Sequence, residues 1–246
     1  MRKPKRRRGR RIVMFLVLCL AMVVAFYYFL HSSVFFIKDV AVIGEQAVPS
    51  QDIIALSGIT AGQNIFEINV KASQKAIEII PRVKHATIKR IFPDRIQISV
   101  IEREPWAYVV HDSGVLLIDN EGICLDKLAT MEETELPVIS IANTPQVIQE
   151  GQQVNRAAIK LIKSIIDKLP TDLLQEVSEF HYSNQGQVIV FTIDGTEVRL
   201  GGEDRLDEKI SYWRRVIKME KERGNQNGLE YIDLRFKGQP VIQEKR

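Results

Sequence analysis

Cysteine is nearly absent from this chain of 246 residues, which contains two: Cys19 and Cys124. Cys19 lies within an uncharged apolar run, so the two thiols are not expected to form a disulfide with each other. Low-complexity tracts, internal repeats and Ser/Gly/Pro-rich linkers are lacking as well. The fold must therefore rest on its hydrophobic core.

Residue patterns typical of catalysis or metal binding are also lacking. The four histidines, at positions 31, 85, 111 and 181, are scattered and form no H-E-x-x-H motif. His111-Asp112-Ser113 are neighbours on an expected turn and cannot form a catalytic relay, and no G-x-S-x-G occurs. Cys124 has no activating neighbour, Glu132-Glu133 indicates a solvated loop, and Gly201-Gly202 indicates a turn. The sequence predicts a non-enzymatic protein with no catalytic, cofactor or metal site.

The positive charge is concentrated at the amino terminus. The net charge is +3, from 34 basic and 31 acidic side chains. Eight of the basic side chains lie in the first eleven residues: Arg2, Lys3, Lys5, Arg6, Arg7, Arg8, Arg10 and Arg11. Without them the remainder carries 26 basic and 31 acidic side chains, a net charge of −5. This acidic remainder gives no support for nucleic-acid binding.

Residues 12–30, IVMFLVLCLAMVVAFYYFL, form an uncharged run. A helix of this length reaches roughly 28 Å, close to the hydrocarbon thickness of a bilayer. A cleaved signal peptide has a shorter apolar region and a small-residue cleavage site, so an uncleaved anchor is favoured. By the positive-inside rule, residues 1–11 form a cytoplasmic head, residues 12–32 a transmembrane helix, and the rest of the chain lies outside, as in a single-pass type II protein.

Residues 35–104 have the pattern of a small β-α-α-β-β domain. The expected elements are a strand over 35–44, a helix from Ser50 to Gly58, a second helix that begins after Asn69 and ends before Pro81, and strands over 83–91 and 95–103. The last two strands flank Phe92-Pro93-Asp94, where proline and aspartate favour a turn.

This segment resembles a POTRA domain. The first-strand pattern is carried by Ile37, Val40, Val42 and Gly44, and the turn between the helices by Gly58, Gly62, Asn64 and Phe66. The hairpin pattern is carried by Pro81, Val83, Ala86, Lys89, Arg90, Pro93, Asp94, Ile98, Val100, Glu102, Arg103 and Pro105. These residues imply packing and turn formation, not chemistry.

From residue 105 onward the pattern indicates short strands and two long helices. Amphipathic spacing predicts helices over 155–169 and 204–223, and Asp194-Gly195 predicts a hairpin between strands 188–193 and 196–200. Pro137 indicates a strand at a sheet edge. We expect one last strand, 229–241, within a β-rich domain over 105–241, followed by a short tail at 242–246. The predicted fold class is α+β.

The whole plan is similar to that of the FtsQ/DivIB cell-division family. GTEVRLG (195–201) and EYIDLRF (230–236) match the β-domain motifs of that family. The resemblance implies a bitopic scaffold at the division septum that helps stabilise or regulate septal cell-wall synthesis. It also implies FtsL-type and FtsB/DivIC-type partners, and contact with a septal peptidoglycan synthase.

The resemblance places partner binding on the last strand of the β domain. The residues at the matching positions are Tyr231, Asp233, Arg235, Phe236, Lys237 and Gly238. A strand at a sheet edge offers unpaired N–H and C=O groups, which a partner strand can satisfy. Phe236 is either the aromatic anchor of that interface or a core residue beside Ile232 and Leu234, and the sequence leaves both open.

Two other functions fit parts of the pattern. A POTRA-bearing accessory of secretion or of outer-membrane protein assembly is the main alternative, although tandem POTRA units or a membrane barrel are then expected. An exported hydrolase is the third possibility and requires a catalytic constellation that the sequence does not display.

Overall fold

The computed structural model of the chain describes residues 6–112, 114–131, 136–223 and 228–245. Ser113 and the pair Glu132-Glu133 lie outside these residues. The chain divides into two compact units, Met1–Glu102 and Arg103–Arg246. The fold class is α+β, as the sequence predicts. The domain boundaries expected above stay predictions.

The first unit begins with the apolar helix α1, Arg6–Leu30. Its segment Gly9–Leu30 has a mean hydropathy of 2.7 and is long and apolar enough to cross a membrane. The apolar side chains of this segment are exposed, as expected of a helix that faces lipid rather than a protein core. The helix starts earlier than the predicted segment, 12–32, and ends two residues before it.

A three-stranded sheet and two helices follow in the β-α-α-β-β order. The elements are β1 (Asp39–Ile43), α2 (Ser50–Ser57), α3 (Val70–Ile77), β2 (Val83–Ile91) and β3 (Arg95–Glu102). The strand order is β1-β3-β2, with β1 parallel and β2 antiparallel to β3. The first strand is shorter than predicted: residues 33–35 form a 3-10 turn, Phe36 forms only an isolated bridge with Asn64, and β1 begins at Asp39.

Local sequence signals explain how these elements begin and end. The side chain of Asn69 caps α3 by accepting a hydrogen bond from Ala72 N at 3.2 Å. Gly44 follows β1 with φ +88°, and a Cβ there would collide with the carbonyl oxygen of Val100. Only glycine therefore allows β1 and β3 to approach this closely. The core between sheet and helices consists mainly of isoleucine: Ile37, Ile53, Ile59, Ile65, Ile77, Ile88, Ile96 and Ile98.

The second unit contains a nine-stranded mixed sheet. Its strands are β4 (Ala107–His111), β5 (Gly114–Ile118), β6 (Cys124–Leu128), β7 (Val138–Ile141), β8 (Val177–Tyr182), β9 (Val188–Thr192), β10 (Glu197–Gly201), β11 (Leu229–Asp233) and β12 (Val241–Glu244). The spatial order is β12-β11-β10-β9-β8-β7-β4-β5-β6.

Three helices accompany this sheet: α4 (Arg156–Ile166), the short α5 (Thr171–Leu174) and α6 (Leu206–Arg223). The Asn155 side chain caps α4 through Ala157 N and Ala158 N, both at 3.1 Å. Trp213 of α6 and Phe180 of β8 are almost fully buried in the shared core. Because α6 connects the parallel strands β10 and β11, it brings the last part of the chain back beside the hairpin of β9 and β10.

Two expectations for this unit are wrong. Pro137 does not mark an edge, because β7 lies between β4 and β8. The strand begins after the proline, and Pro137 contributes a carbonyl oxygen that accepts from Tyr108 N at 2.9 Å. The expected last strand, 229–241, is two strands separated by a turn, β11 and β12. Of the expected tail, 242–246, residues 242–245 are described by the structure, and the first three of them belong to β12.

Candidate functional site

The carboxyl-terminal edge of the large sheet is β12. It pairs antiparallel with β11, with Val241 opposite Asp233 and Ile242 opposite Ile232. In the described part of the chain no strand pairs with its other side. β11 itself lies between β10 and β12 and is not an edge, contrary to the expectation that the strand containing residues 231–236 is terminal. The open edge is therefore one strand further along the chain.

A groove runs between this edge and α6. It has a volume of about 410 Å³ and is lined by Val216, Met219, Glu220, Ile242, Gln243 and Glu244. Met219 is 50% exposed and Ile242 is 44% exposed, whereas Val216 is buried at the base. The edge thus offers backbone hydrogen bonds beside a concave surface with exposed apolar side chains, which is the arrangement that an added strand with alternate side chains requires.

The turn between β11 and β12 contains most of the residues predicted to bind a partner. Phe236 is 64% exposed, so it is not a core residue, while Ile232 and Leu234 are buried. Lys237 and Gly238 are exposed beside it, and Gly238 has φ +107°, a conformation that favours glycine. The turn therefore presents an aromatic ring and a cation directly before the open edge.

Asp233 and Arg235 hold this turn in place. Asp233 is 5% exposed, and its carboxylate accepts from Arg235 Nη2 at 2.6 Å and Arg235 Nε at 2.9 Å. The Arg235 guanidinium also donates to Gln187 Oε1 at 3.2 Å, and its backbone carbonyl accepts from Arg205. Asp233 and Arg235 therefore stabilise the turn.

Charge and burial act in opposite directions on this ion pair. Burial raises the pKa of Asp233, but the hydrogen bonds and positive charge of Arg235, with a contribution from Arg199, outweigh it and hold that pKa below its usual value. The same hydrogen bonds raise the pKa of Arg235. The pair is thus fully charged at neutral pH.

Tyr231 lies on β11 under a second arginine. The Arg199 guanidinium carbon is 4.3 Å from the centroid of the Tyr231 ring, and Arg199 Nε donates to Glu197 Oε1 at 2.8 Å. Tyr231 is only partly exposed and lies one strand away from the open edge. Of the six predicted residues, Phe236, Lys237 and Gly238 are exposed at the edge, and the other three lie behind them. That these six residues contact a partner stays a prediction.

β12 and the groove were not predicted from the sequence. Val241, Ile242, Val216 and Met219 were not among the expected site residues, although Val241 and Ile242 are about half exposed. The signal that locates them is Gly238-Gln239-Pro240, a turn-forming segment that interrupts the run 229–241 and so creates a separate strand after it.

One cluster in the sheet brings together side chains with the composition of a hydrolase site. Ser140 on β7 lies opposite His181 on β8, with Ser140 Oγ at 2.7 Å from His181 Nδ1. Ser140 Oγ also donates to Glu179 Oε1. In a relay the histidine lies between the serine and the acid. Here the serine lies between them and directs its proton at the glutamate, so the histidine does not activate it.

The other candidate chemical groups are engaged or buried. His111 Nε2 lies 2.8 Å from the carbonyl oxygen of Pro145. Cys124 is fully buried, and burial raises the pKa of its thiol, which disfavours the nucleophilic thiolate. Within the described residues, no group of three or more His, Cys, Asp or Glu side chains is placed to hold a metal ion. The expectation of a non-enzymatic protein stays a prediction.

Comparisons with known proteins relate both units to cell division. A family model described as "POTRA domain, FtsQ-type" matches residues 35–103, and one described as "Cell division protein FtsQ/DivIB, C-terminal" matches residues 107–235. Cell division protein DivIB of Clostridium tetani is 28% identical over 214 residues, covering 85% of this chain and 79% of the relative. Cell division protein FtsQ of Syntrophotalea carbinolica is 29% identical over 206 residues, covering 82% and 71%.

Among solved structures, the major extracytoplasmic domain of the trans isomer of DivIB from Geobacillus stearothermophilus is similar at 23% identity and a TM-score of 0.32, covering 51% of this chain and 98% of that one. The family assignment rests on the second family model, which covers more than half of the chain and contains β4 through β11. This chain belongs to the FtsQ/DivIB family of cell division proteins.

Proposed function

We propose that this protein is a bitopic membrane scaffold of the bacterial divisome. Residues 1–11 form its cytoplasmic head, residues 12–32 its membrane span, and residues 35–104 and 105–241 its POTRA and β domains outside the cytoplasm at the septum. It binds FtsL-type and FtsB/DivIC-type partners and so helps stabilise or regulate septal cell-wall synthesis, in contact with a septal peptidoglycan synthase.

The observation that supports this proposal best is the open edge of β12 beside the groove against α6. A partner segment in extended conformation adds to the sheet by hydrogen bonding to the backbone of β12. Its alternate side chains then enter the groove between Met219 and Ile242. Main-chain hydrogen bonds supply part of the affinity, and the groove supplies the selectivity.

The turn before β12 extends this surface. Phe236 is the expected aromatic anchor, because large rings that become buried dominate the binding energy of most interfaces. Lys237 attracts an acidic residue on the partner, and Gly238 leaves the backbone accessible. Asp233 and Arg235 position the turn, and Tyr231 with Arg199 stiffens the strand behind it.

The test is binding of the full chain, in lipid nanodiscs, to the exported segment of an FtsB/DivIC-type partner. Two variants alter the proposed surface, Phe236→Asp in the turn and Ile242→Asp on the edge strand. Val147→Asp is the matched control, since Val147 is a 71% exposed apolar residue in the loop between β7 and α4. Thermal melting establishes that each variant is folded.

We expect both surface variants to weaken binding by about thirty-fold or more, the range of an interface hot spot, and Val147→Asp to bind normally. Undiminished binding by both folded surface variants would remove this edge as the partner site. Failure of the unsubstituted chain to bind would contradict the proposed partner class itself.

A further inference from the structure

Three chain segments meet at the end of the first unit that is nearest to the membrane helix. They are residues 34–38 before β1, the turn 61–67 between α2 and α3, and residues 91–95 at the tip of the hairpin between β2 and β3. Ile37 N donates to Gln63 O and Lys38 N donates to Asp94 O, both at 2.9 Å. We call these three segments together the span-side tip.

The end of α1 is bonded directly to this tip. The Asn64 side chain, which is buried, donates through Nδ2 to the carbonyl oxygen of Leu30 at 2.8 Å. Leu30 is the last residue of α1, so Asn64 satisfies one of the carbonyl groups that a helix end leaves without an intrahelical partner. His31 Nε2 lies 3.5 Å from Glu67 Oε1, a second contact between the exit of the helix and the tip.

A row of aromatic rings continues from the membrane helix into the tip. Phe29 of α1 is 5.2 Å from Phe35 between ring centroids, Phe35 is 5.1 Å from Phe66, and Phe66 is 5.4 Å from Phe92. Because Phe29 lies in the last turn of the membrane span, the row starts at the depth where the span leaves the hydrocarbon. The tip is thus held beside the membrane surface by contiguous packing.

The side chains at the tip are unusually apolar for a protein surface. Five large apolar residues are exposed there: Val34 at 51%, Phe36 at 38%, Phe66 at 41%, Ile91 at 44% and Phe92 at 56%. Clusters of this kind mark an interaction surface rather than ordinary solvent contact. An apolar tip that is joined to the end of a candidate membrane span by a row of aromatic rings fits lipid better than a soluble partner.

Basic side chains border the same tip. Lys89 and Arg95 are exposed on the two strands of the hairpin on either side of Ile91 and Phe92. Lys38 is 70% exposed and donates to Asp94 at 2.7 Å, which neutralises that carboxylate, while the carboxylate of Glu67 lies 3.5 Å from His31. Cations around an apolar centre suit the headgroup region of a bilayer that contains anionic lipid.

We propose that the span-side tip is a lipid-docking surface that lies in the headgroup layer of the leaflet from which α1 emerges. Phe66 and Phe92 enter the boundary between headgroups and acyl chains, and Lys89 and Arg95 contact lipid phosphates. The POTRA domain then has a fixed orientation on the membrane. This inference concerns a different unit from the β12 edge and does not depend on the partner proposed above.

The test places a tryptophan at the tip and measures its contact with lipid. The full chain carrying Phe92→Trp, and separately Phe66→Trp, is reconstituted into vesicles of phosphatidylcholine and phosphatidylglycerol in which part of the lipid is brominated near the top of its acyl chains. Bromine quenches only tryptophans within contact range. The unsubstituted chain, which contains Trp106 and Trp213, supplies the background signal.

Ile79→Trp is the matched control. Ile79 is an apolar residue of the same domain and is 75% exposed. It lies beside the start of β2, since Val83 N donates to Ile80 O at 2.9 Å, whereas Phe92 follows the end of that strand. The nine residues of β2 separate the two ends by about 26 Å, which exceeds the depth of the headgroup layer.

We expect brominated lipid to quench the introduced fluorescence by about half in both tip variants and to leave that of Ile79→Trp unchanged, because interfacial side chains penetrate about 5–10 Å. Absence of quenching in both tip variants overturns the proposal and leaves the tip to water or to protein. Equal quenching in Ile79→Trp also overturns it, since the domain then lies on the membrane by another face.

Discussion

The carboxylate of Glu102 fastens the loop that leads from β1 to α2. Its Oε1 accepts from Gln46 N at 2.8 Å and from Val48 N at 3.0 Å, and its Oε2 accepts from Ala47 N at 3.0 Å. Three consecutive backbone N–H groups therefore depend on one side chain at the end of β3. The change that tests this arrangement most directly is Glu102→Gln, which keeps the shape and removes the charge.

The magnitude follows from the bonds that glutamine retains. Its amide oxygen accepts the two bonds made to Oε1, but its NH₂ group then faces the Ala47 N–H, donor against donor. Losing one hydrogen bond to a charged acceptor, with the N–H left unsatisfied, costs about 2 kcal/mol. That corresponds to a roughly thirty-fold rise in the opening equilibrium of the loop, because 1.4 kcal/mol is a factor of ten.

Hydrogen–deuterium exchange of the full chain measures that equilibrium at amides 46–48. At pH 7 we expect these amides to exchange about thirty-fold faster in Glu102→Gln. In the control Glu104→Gln, which alters an exposed carboxylate two residues along the chain, we expect a change of less than about two-fold. Equal protection of the loop in Glu102→Gln and in the unsubstituted chain would refute the reasoning.

The effect of Glu102→Gln on the stability of the loop should also depend on pH. Burial raises the pKa of Glu102, but the three backbone hydrogen bonds outweigh it and hold that pKa below its ordinary value of 4.5. A depressed pKa means that the carboxylate stabilises the folded state above about pH 4.5, and that this stabilisation is lost as the pH falls through the folded-state pKa. Compared at equal pH, the difference between the two proteins should therefore shrink below pH 4.5.

Two further predictions concern the β domain. Replacing Arg235 with alanine removes the side-chain hydrogen bonds of the buried Asp233 and leaves it the more distant Arg199, at 4.0 Å, as a charged partner. We expect the free energy of unfolding to fall by about 2 kcal/mol in urea denaturation. Arg235→Lys should recover only part of it, because an ammonium does not match the carboxylate at two atoms. Because the pKa of Asp233 is depressed, the stabilisation by its ion pair decreases as the pH falls. A larger loss of unfolding free energy at pH 3 than at pH 7 would therefore contradict this prediction. Trp213 is fully buried and its Nε1 lacks a hydrogen-bond partner, so Trp213→Phe should cost much less than Trp213→Ala, about 1 against 3–5 kcal/mol, in thermal melts. Similar losses in the two variants would show that the ring packing is not what Trp213 contributes.

Elements with a strong local signal could be predicted from the sequence. The apolar run located the end of α1 to within two residues, although the helix starts six residues earlier than predicted, and the Asn69 cap and the turn at Pro93-Asp94 located α3 and the β2–β3 hairpin. In each case the decisive contacts lie within a few residues along the chain, so spacing and turn chemistry are sufficient.

The parts that depend on distant pairing could not be predicted in the same way. Strand β8, VSEFHY, buries one side chain fully, Phe180, and so has no clear alternation. The pairing of β11 with β10 depends on the return of the chain through α6, and residues 229–241 do not encode that pairing locally. Arg235 is predicted from the sequence to bind a partner, but in the structure its guanidinium is hydrogen-bonded to Asp233.

The two ends of the large sheet differ in how well they resist self-association. At β6 the chain covers the start of its own edge, since Cys124 N donates to Gln152 O and Gly151 N donates to Cys124 O. At the other end no strand of the described residues covers the outer side of β12, and Val241 and Ile242 are about half exposed, while its four-residue length and the adjacent charges of Glu244 and Lys245 oppose edge-to-edge pairing. We therefore expect chains made in excess over the proposed partner of β12 to associate through their last strands, so that their solubility depends on balanced expression as much as on folding.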